Sequence, residues 1–445
     1  MMENENSATH QEQVRLIARM IPAEETIGPP AARRHGRGWR AGWIVLFAVL
    51  IPARSQCQET VRISLASEQA ALAQRASAAS NYYNVLVGPV RLRFQGEMGV
   101  EFTDNANYSS TAPDADMALI PTLNIKAFWP VSRQNSLTLS TGAGYVDYLR
   151  DTALSHISLA SDSSLNFKLY TGDFVFDVHD RFSAVDFASQ NPSVSASVER
   201  LENDPGINAD WDLNKLILTL GLDYDMFSSL NSAYSYSDSS SGLVHTRAAY
   251  LFHESDRLGL EAGGGVTSYD QHILDNCTHY SVGPFYQGRL TPYLRLEADV
   301  GFAAYDFARD GTVGNVSNFE GYYADITFNH RLNPWWTQRL SFGREIQLDI
   351  TANFSDNYYI RYGANWRMSQ NVSSTFGFTF FHGSTSGAVE EAETYNSYGP
   401  NLGLSWRLSQ KIVGSLNYTF VEKDSDVALL GYTQNKVLLD FTYDF

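Results

Sequence analysis

From about Val90 onward, apolar and polar residues take turns along this chain one position at a time. Leu216, Leu218, Leu220, Leu222 and Tyr224 interleave with Ile217, Thr219, Gly221, Asp223 and Asp225. Leu258, Leu260 and Ala262 oppose Gly259 and Glu261. Leu294, Leu296, Ala298, Val300 and Phe302 oppose Arg295, Glu297, Asp299 and Gly301. The last stretch repeats the pattern, with Val437, Leu439, Phe441, Tyr443 and Phe445 on one side and mostly polar residues between them. A period of two puts successive side chains on opposite faces of a strand, so each segment predicts a strand with one oily face and one wet face.

The segments come in pairs. Two strands of about a dozen residues are joined by a tight polar turn, and a longer polar loop leads to the next pair. The turns share a spelling: Arg289-Leu290-Thr291-Pro292, Arg331-Leu332-Asn333-Pro334, Arg367-Met368-Ser369-Gln370 and Arg407-Leu408-Ser409-Gln410 lie 42, 36 and 40 residues apart. Propeller blades repeat at a similar period, but each period here holds two long strands and not four short ones. Loops rich in Ser, Asn, Asp and Gly fall at Asp104–Asp116, Ser189–Ser197, Ser229–Gly242, Asp270–Thr278, Arg309–Asn318, Ser384–Glu393 and Lys423–Leu430. Strands are expected to start near Val90, Met117, Ser136, Ser155, Phe174, Ser197, Lys215, Gly242, Arg257, Thr278, Tyr293, Phe319, Thr337, Asn357, Val372, Thr394, Lys411 and Gly431. That gives about 18 strands, with 16 as the alternative count; bacterial single-chain barrels have even numbers.

Alternation does not say which face is inside. A soluble sandwich turns its oily face inward; a membrane barrel does the reverse. Three features favour the barrel. First, Arg33, Arg34, Arg37 and Arg40 precede the apolar run Ala41–Ile51, and small residues follow it at Ala53 and Ser55. This is the pattern of a secretory signal peptide, and the run is shorter than the roughly 20 residues of a membrane-spanning helix. Second, the chain ends on an alternating aromatic strand, an edge that a soluble protein seldom leaves open and a closed barrel pairs away. Third, aromatics cluster at strand ends: Trp335-Trp336, Trp366, Trp406, Tyr322-Tyr323 and Tyr358-Tyr359, as in the two interface girdles of a membrane barrel.

The expected fold is therefore all-β: a transmembrane antiparallel up-and-down β-barrel at residues 90–445, after a signal peptide at 1–55 and a leader at 56–89. The leader reads as a tether or a short helix at Ser67–Ala79. Met20 is an alternative start, which would leave residues 1–19 untranslated. Short turns face the periplasm and long loops the outside, so both termini of the barrel are expected in the periplasm.

Composition agrees. Aromatics make up 13% of the 445 residues, with 25 each of Tyr and Phe, while charged residues make up only 18%. Mean hydropathy is slightly negative, which excludes a helical membrane bundle but not a barrel, whose two faces average out. The formal charge of −17 argues against nucleic acid and against anionic-lipid binding through basic patches. Two cysteines, Cys57 and Cys277, give no disulfide framework.

The terminal pattern of Phe441, Tyr443 and Phe445 resembles the sorting signal of bacterial outer-membrane barrels, which is read by the barrel assembly machinery. Val87–Asn107, with Gly88-Pro89 leading into a strand closed by Thr103-Asp104-Asn105, resembles the opening of outer-membrane porins of the "beta-barrel porin 2" type. Turns such as Trp406-Arg407-Leu408-Ser409 add to the likeness, which would cover about 85–445. The resemblance implies outer-membrane location and, for some members, a link to polysaccharide export; it brings no catalytic residue.

Function in such a barrel would lie on the inner wall. Candidates on the polar faces are Arg93, Glu97, Asp223, Asp225, Glu261, Glu297, Asp299 and Asp325. Acids predominate, which would favour cations and disfavour anions; the plain alternative is a solvated wall without selectivity. No catalytic, cofactor or metal site is expected. There is no Gly-x-Ser-x-Gly elbow, and His272, Asp275, Cys277 and His279 share a loop without a tight ligand spacing. The expected function is an outer-membrane channel for passive diffusion of small hydrophilic solutes, cations or neutral molecules before anions, with polysaccharide export as a further link. The alternatives are a structural or adhesive barrel with a closed lumen, and an exported soluble β protein or barrel enzyme.

Overall fold

The computed structural model describes residues 83–186, 192–253, 256–313, 318–389 and 391–445. The expected signal peptide, Cys57 and nearly all of the leader lie outside these residues. The strands are β1 (Val85–Val87), β2 (Val90–Thr103), β3 (Asp116–Pro130), β4 (Ser136–Tyr148), β5 (His156–Leu159), β6 (Ser164–Thr171), β7 (Phe174–Asp186), β8 (Glu199–Asp212), β9 (Leu216–Ser229) and β10 (Ser239–His253). They continue with β11 (Asp256–Tyr269), β12 (Cys277–Thr291), β13 (Leu294–Phe307), β14 (Phe319–Asn333), β15 (Trp336–Leu348), β16 (Ala352–Arg367), β17 (Val372–Ala388), β18 (Thr394–Arg407), β19 (Ile412–Ser425) and β20 (Tyr432–Asp444).

Apart from β5 and β6, each strand pairs antiparallel with the next, and β20 returns to β2 from Thr103↔Lys436 to Gln95↔Asp444. The ring is closed. β1 is a short return on the start of β2, and β5 and β6 share one lane between β4 and β7. That leaves the eighteen barrel strands expected from the alternation. The seam is held beyond its ladder. Arg93 donates twice to Asp444, at 2.9 and 3.0 Å. At the other end, Asn435 donates its backbone N–H (2.7 Å) and its side chain (2.6 Å) to Asp104. The Phe445 N–H reaches the carbonyl of Phe94 at 3.3 Å.

The apolar face is outside. On β9, Leu220, Leu222, Tyr224 and Met226 are exposed, while Asp223 and Asp225 between them are buried. Leu258 and Leu260 on β11 are exposed around buried Glu261, and Val300 and Phe302 on β13 lie beyond buried Asp299. Phe441, Tyr443 and Phe445 are exposed in the same way. An oily exterior over a polar interior suits hydrocarbon and is unstable in water. Trp129, Trp211, Trp335 and Trp366 stand exposed near the short-turn end, and Tyr224, Tyr280, Tyr322 and Tyr358 nearer the long loops, which makes two aromatic belts.

Two local expectations fail for physical reasons. The strand expected from Ser155 is interrupted, because residues 160–163 leave the ladder; Asp162 in this break meets Lys126 at 3.1 Å. The strand expected from Asn357 starts five residues earlier, at Ala352, and the connection before it is only 349–351. Asn353, Ser355 and Asn357 look like loop residues in sequence, yet all three are fully buried. The reason is that the tip of the β15–β16 hairpin leaves the wall. β14 pairs with β15 only up to Ala324↔Arg344, although both strands run further. Beyond that point Ile346 and Phe354 pack against Tyr305, Phe307 and Phe319 of the adjoining hairpin, and the Tyr305 hydroxyl donates to the Ile346 carbonyl at 3.1 Å. The tip bends into the mouth, so its polar residues are covered on both sides.

The assignment of faces gives a direct test. Leu220→Lys, on the outward face at mid-strand, should cost about 2–4 kcal/mol of stability in lipid, whereas Asn417→Lys, pointing inward and exposed, should cost little. Urea unfolding in vesicles measures both; equal costs would mean that the apolar face does not touch lipid.

Candidate functional site: the inner wall and its mouth

All eight candidate wall residues lie on inward-facing positions, but they form separate groups. Arg93 is taken by Asp444 at the seam, and Glu97 accepts from Asn124 at 3.0 Å. Asp225 is buried on β9 and Glu297 half-buried on β13. Glu261 on β11 and Asp299 on β13 come together at Arg247 of β10, with Asp325 of β14 near both. The Arg247 guanidinium lies 3.3 Å from Asp299 and 3.7 Å from Glu261, and 3.5 Å above the Phe285 ring centroid. Tyr323 donates to Glu261 at 3.3 Å, and Tyr359 donates to Asp325. One cation thus serves two carboxylates, and phenol hydroxyls meet Glu261 and Asp325.

Register explains how side chains on different strands meet. Adjacent strands lie about 4.8 Å apart, so partners two or three strands apart meet only if the intervening residue is small. Glycine supplies that space. Tyr323 faces Gly301, and its ring lies where Cβ atoms on Gly301 and Gly283 would stand, which carries its hydroxyl to Glu261. Tyr359 crosses Gly343 towards Asp325, and Tyr395 crosses Gly383 to donate to Asn357 at 2.5 Å. An aromatic ring laid over a strand glycine also restores the packing that the glycine lacks.

The same device gathers a second group lower in sequence number. His179 on β7 and Asp223 on β9 both face Gly206 of β8 and meet over it at 2.9 Å. His245 on β10 lies over Gly221 and reaches Asp223 at 3.2 Å. Arg181 holds Asp204 at 2.8 Å beside them. Among the expected candidates only Asp223 belongs here. His179, Asp204 and His245, like Arg247, were not among them: they come from β7, β8 and β10, and only the register brings them together. By contrast, the loop group of His272, Asp275, Cys277 and His279 does not converge. Asp275 is engaged with Asn353 and the Gly311 N–H, Cys277 packs in the aromatic cluster with Phe307, and His279 stacks on Tyr305.

The long-loop mouth is filled from two sides. Opposite the bent β15–β16 tip, residues 192–198 between β7 and β8 reach across to strands nearly half the ring away. Val194 and Val198 are fully buried against Tyr108, Ile350 and Tyr432. Lys423 of β19 donates to the Ser193 carbonyl and to Ser195, both at 2.8 Å. Ser195 donates to the Leu430 carbonyl at 2.6 Å, and Ser193 donates to Asp349. Lys423 also lies 2.7 Å from Glu393, with both side chains almost wholly covered. Burial raises the Glu393 carboxyl above its usual range, more than the Lys423 ammonium lowers it. At the other end Thr375, Asn401 and Asn417 point inward and remain exposed, so the wall there is wet.

No protein-family model matches the chain, so the resemblance at Val87–Asn107 stays local. No curated protein matches it either. Solved structures do. Acinetobacter baumannii OccAB3 is 11% identical with a TM-score of 0.46, covering 80% of this chain and 99% of that one. Pseudomonas aeruginosa OccK2 (OpdF) in complex with glucuronate is 10% identical with a TM-score of 0.48, over 81% and 100%. Pseudomonas aeruginosa OpdK with vanillate is 10% identical with a TM-score of 0.45, over 80% and 99%. The closed barrel itself rests on the pairings and faces described above.

Glu393 predicts how the mouth responds to pH. A carboxyl whose pKa is raised on burial supports docking fully below its ordinary value, 4.5, and loses that support as pH rises through the raised value. Segment 192–198 should therefore loosen from acid towards neutral pH. Measured by limited proteolysis in vesicles, the cleavage rate of the wild type relative to Glu393→Gln should be near one at acid pH and rise with pH; a flat ratio would remove Glu393 from the clamp.

Proposed function

We propose that this chain is a bacterial outer-membrane channel for passive diffusion of small hydrophilic solutes, with cations and neutral molecules preferred over anions. The observation that carries the reading is the mid-height wall, where Arg247 answers both Glu261 and Asp299 and a third carboxylate, Asp325, stands near them against Tyr359. Inside a low-dielectric shell, such an imbalance raises the local concentration of cations and repels anions. A barrel of eighteen strands is wide enough to hold water where loops do not fill it, and the exposed inward Thr375, Asn401 and Asn417 mark a wet vestibule. The termini belong in the periplasm on this reading, with short turns on that side. Outer-membrane lipid surrounds the wall, and the barrel assembly machinery reads Phe441, Tyr443 and Phe445. A polysaccharide cargo gains no support, and an acidic wall suits an acidic polymer poorly. The local likeness at Val87–Asn107 supports a "beta-barrel porin 2" type relationship.

A closed structural barrel is the second reading, favoured by the occupied mouth. Conductance separates the two. In planar bilayers under a salt gradient, the protein should form channels whose reversal potential has the sign of cation preference, and Glu261→Gln with Asp299→Asn should shift it towards zero. Anion preference in the wild type would defeat the selectivity, and no conductance would favour the closed barrel. Separately, Phe445→Asp should sharply reduce insertion into the outer membrane while the purified chain still refolds in detergent; unchanged insertion would exclude the terminal strand as the signal.

A further inference from the structure

We propose that His179, Asp204, Asp223 and His245 hold one divalent transition-metal ion of the zinc type in the wall at β7–β10. The proposal goes beyond conduction and does not depend on it. Ligand-bearing atoms of His179, Asp204 and Asp223 all lie within 4.8 Å of one another, and all three residues are buried. His245 stands 3.2 Å from the second oxygen of Asp223. With metal–ligand bonds near 2.1 Å, neighbouring ligand atoms in tetrahedral or octahedral sites lie about 3.0–3.4 Å apart. The His179–Asp223 separation of 2.9 Å already matches this, whereas His245 contacts the other Asp223 oxygen at 3.2 Å and would have to swing in as the fourth ligand.

Two independent observations point to a missing cation. The first is charge. Arg181 answers Asp204 at 2.8 Å, whereas the close partners of Asp223 are the imidazoles of His179 and His245. A buried carboxylate without a fixed cation is costly. The second is unmet hydrogen bonding. The Oδ1 of Asp204 and the Oδ1 of Asn208 are each shut off from solvent without a hydrogen-bond partner, and the Asp204 side chain is only 3% exposed. Glycine keeps the space clear, since a Cβ on Gly206 would overlap Asp223 and His179, and one on Gly221 would overlap His245 and Asn208.

The donor set selects the metal class. Two imidazoles and two carboxylates suit zinc, cobalt or nickel, while magnesium and calcium prefer all-oxygen shells. A bound ion would tie four consecutive strands together and offset the Asp223 charge.

The test uses the full mature barrel, untagged, refolded in detergent and checked by heat-modifiable gel migration. Titrated with Co2+, it should take up one equivalent with visible absorption bands that Zn2+ removes. His179→Gln and His245→Gln should each weaken uptake at least tenfold, and Gly206→Ala should do the same with every ligand present. His382→Gln, an exposed histidine elsewhere, should leave uptake unchanged. Should one variant fail to refold, the others decide. No stoichiometric uptake by the folded wild type, or equal affinity in the refolded ligand variants, would overturn the site.

Discussion

A backbone inside hydrocarbon has no water to turn to. Each unpaired N–H or C=O there costs several kcal/mol, and a sheet can meet that demand only by closing on itself. The β2–β20 seam is where this chain does so, and its fittings follow from the requirement. The ladder carries the middle, Arg93 with Asp444 fastens one end, and Asp104 with Asn435 fastens the other. Closure then forces the rest. With lipid on one side, the period of two commits every other residue to the exterior and leaves its neighbours to line the interior, whatever their polarity.

This commitment creates the problem that the inner wall solves. Carboxylates such as Glu261 and Asp299 are held in a confined space against the one guanidinium of Arg247. Cross-strand glycines let tyrosines lie flat and deliver hydroxyls to acids on other strands. The aromatic ring fills volume, the hydroxyl satisfies the charge, and the glycine pays for both with lost strand propensity. The His179–Asp223–His245 group follows the same geometry with imidazoles in place of phenols.

The barrel was legible because one face of every strand must be apolar, and Leu216–Tyr224 or Val437–Phe445 shows that in the bare sequence. Strand starts were readable where turn chemistry marked them, as at Val372 and Thr394. They failed at Ala352 because the polar residues of a hairpin tip buried in the mouth spell the same letters as a solvated loop. The wall candidates were found as a class, since inward acids stand out between outward leucines. Their grouping was hidden: whether Asp299 meets Arg247 or Asp223 meets His179 depends on register across several strands, which no spacing within one segment encodes.

The mouth shows how a segment can be seated across the rim of a charged wall. Residues 192–198 carry little charge of their own, so the opposite wall must hold them through Lys423, whose ammonium reaches backbone and hydroxyl oxygens of Ser193 and Ser195. Glu393 stands 2.7 Å from that ammonium, but burial opposes the charge on both groups, so the pair is held at a cost. The pair is sealed by apolar contacts of Val194 and Val198 with Ile350 and Tyr432. Seated contacts of this kind open by local separation and not by unfolding of the wall, because the strands beneath keep their own ladders. The acidic band at mid-height and the seated segment at the mouth are therefore separable: they share no residue, and each is held by its own cation, Arg247 in one and Lys423 in the other.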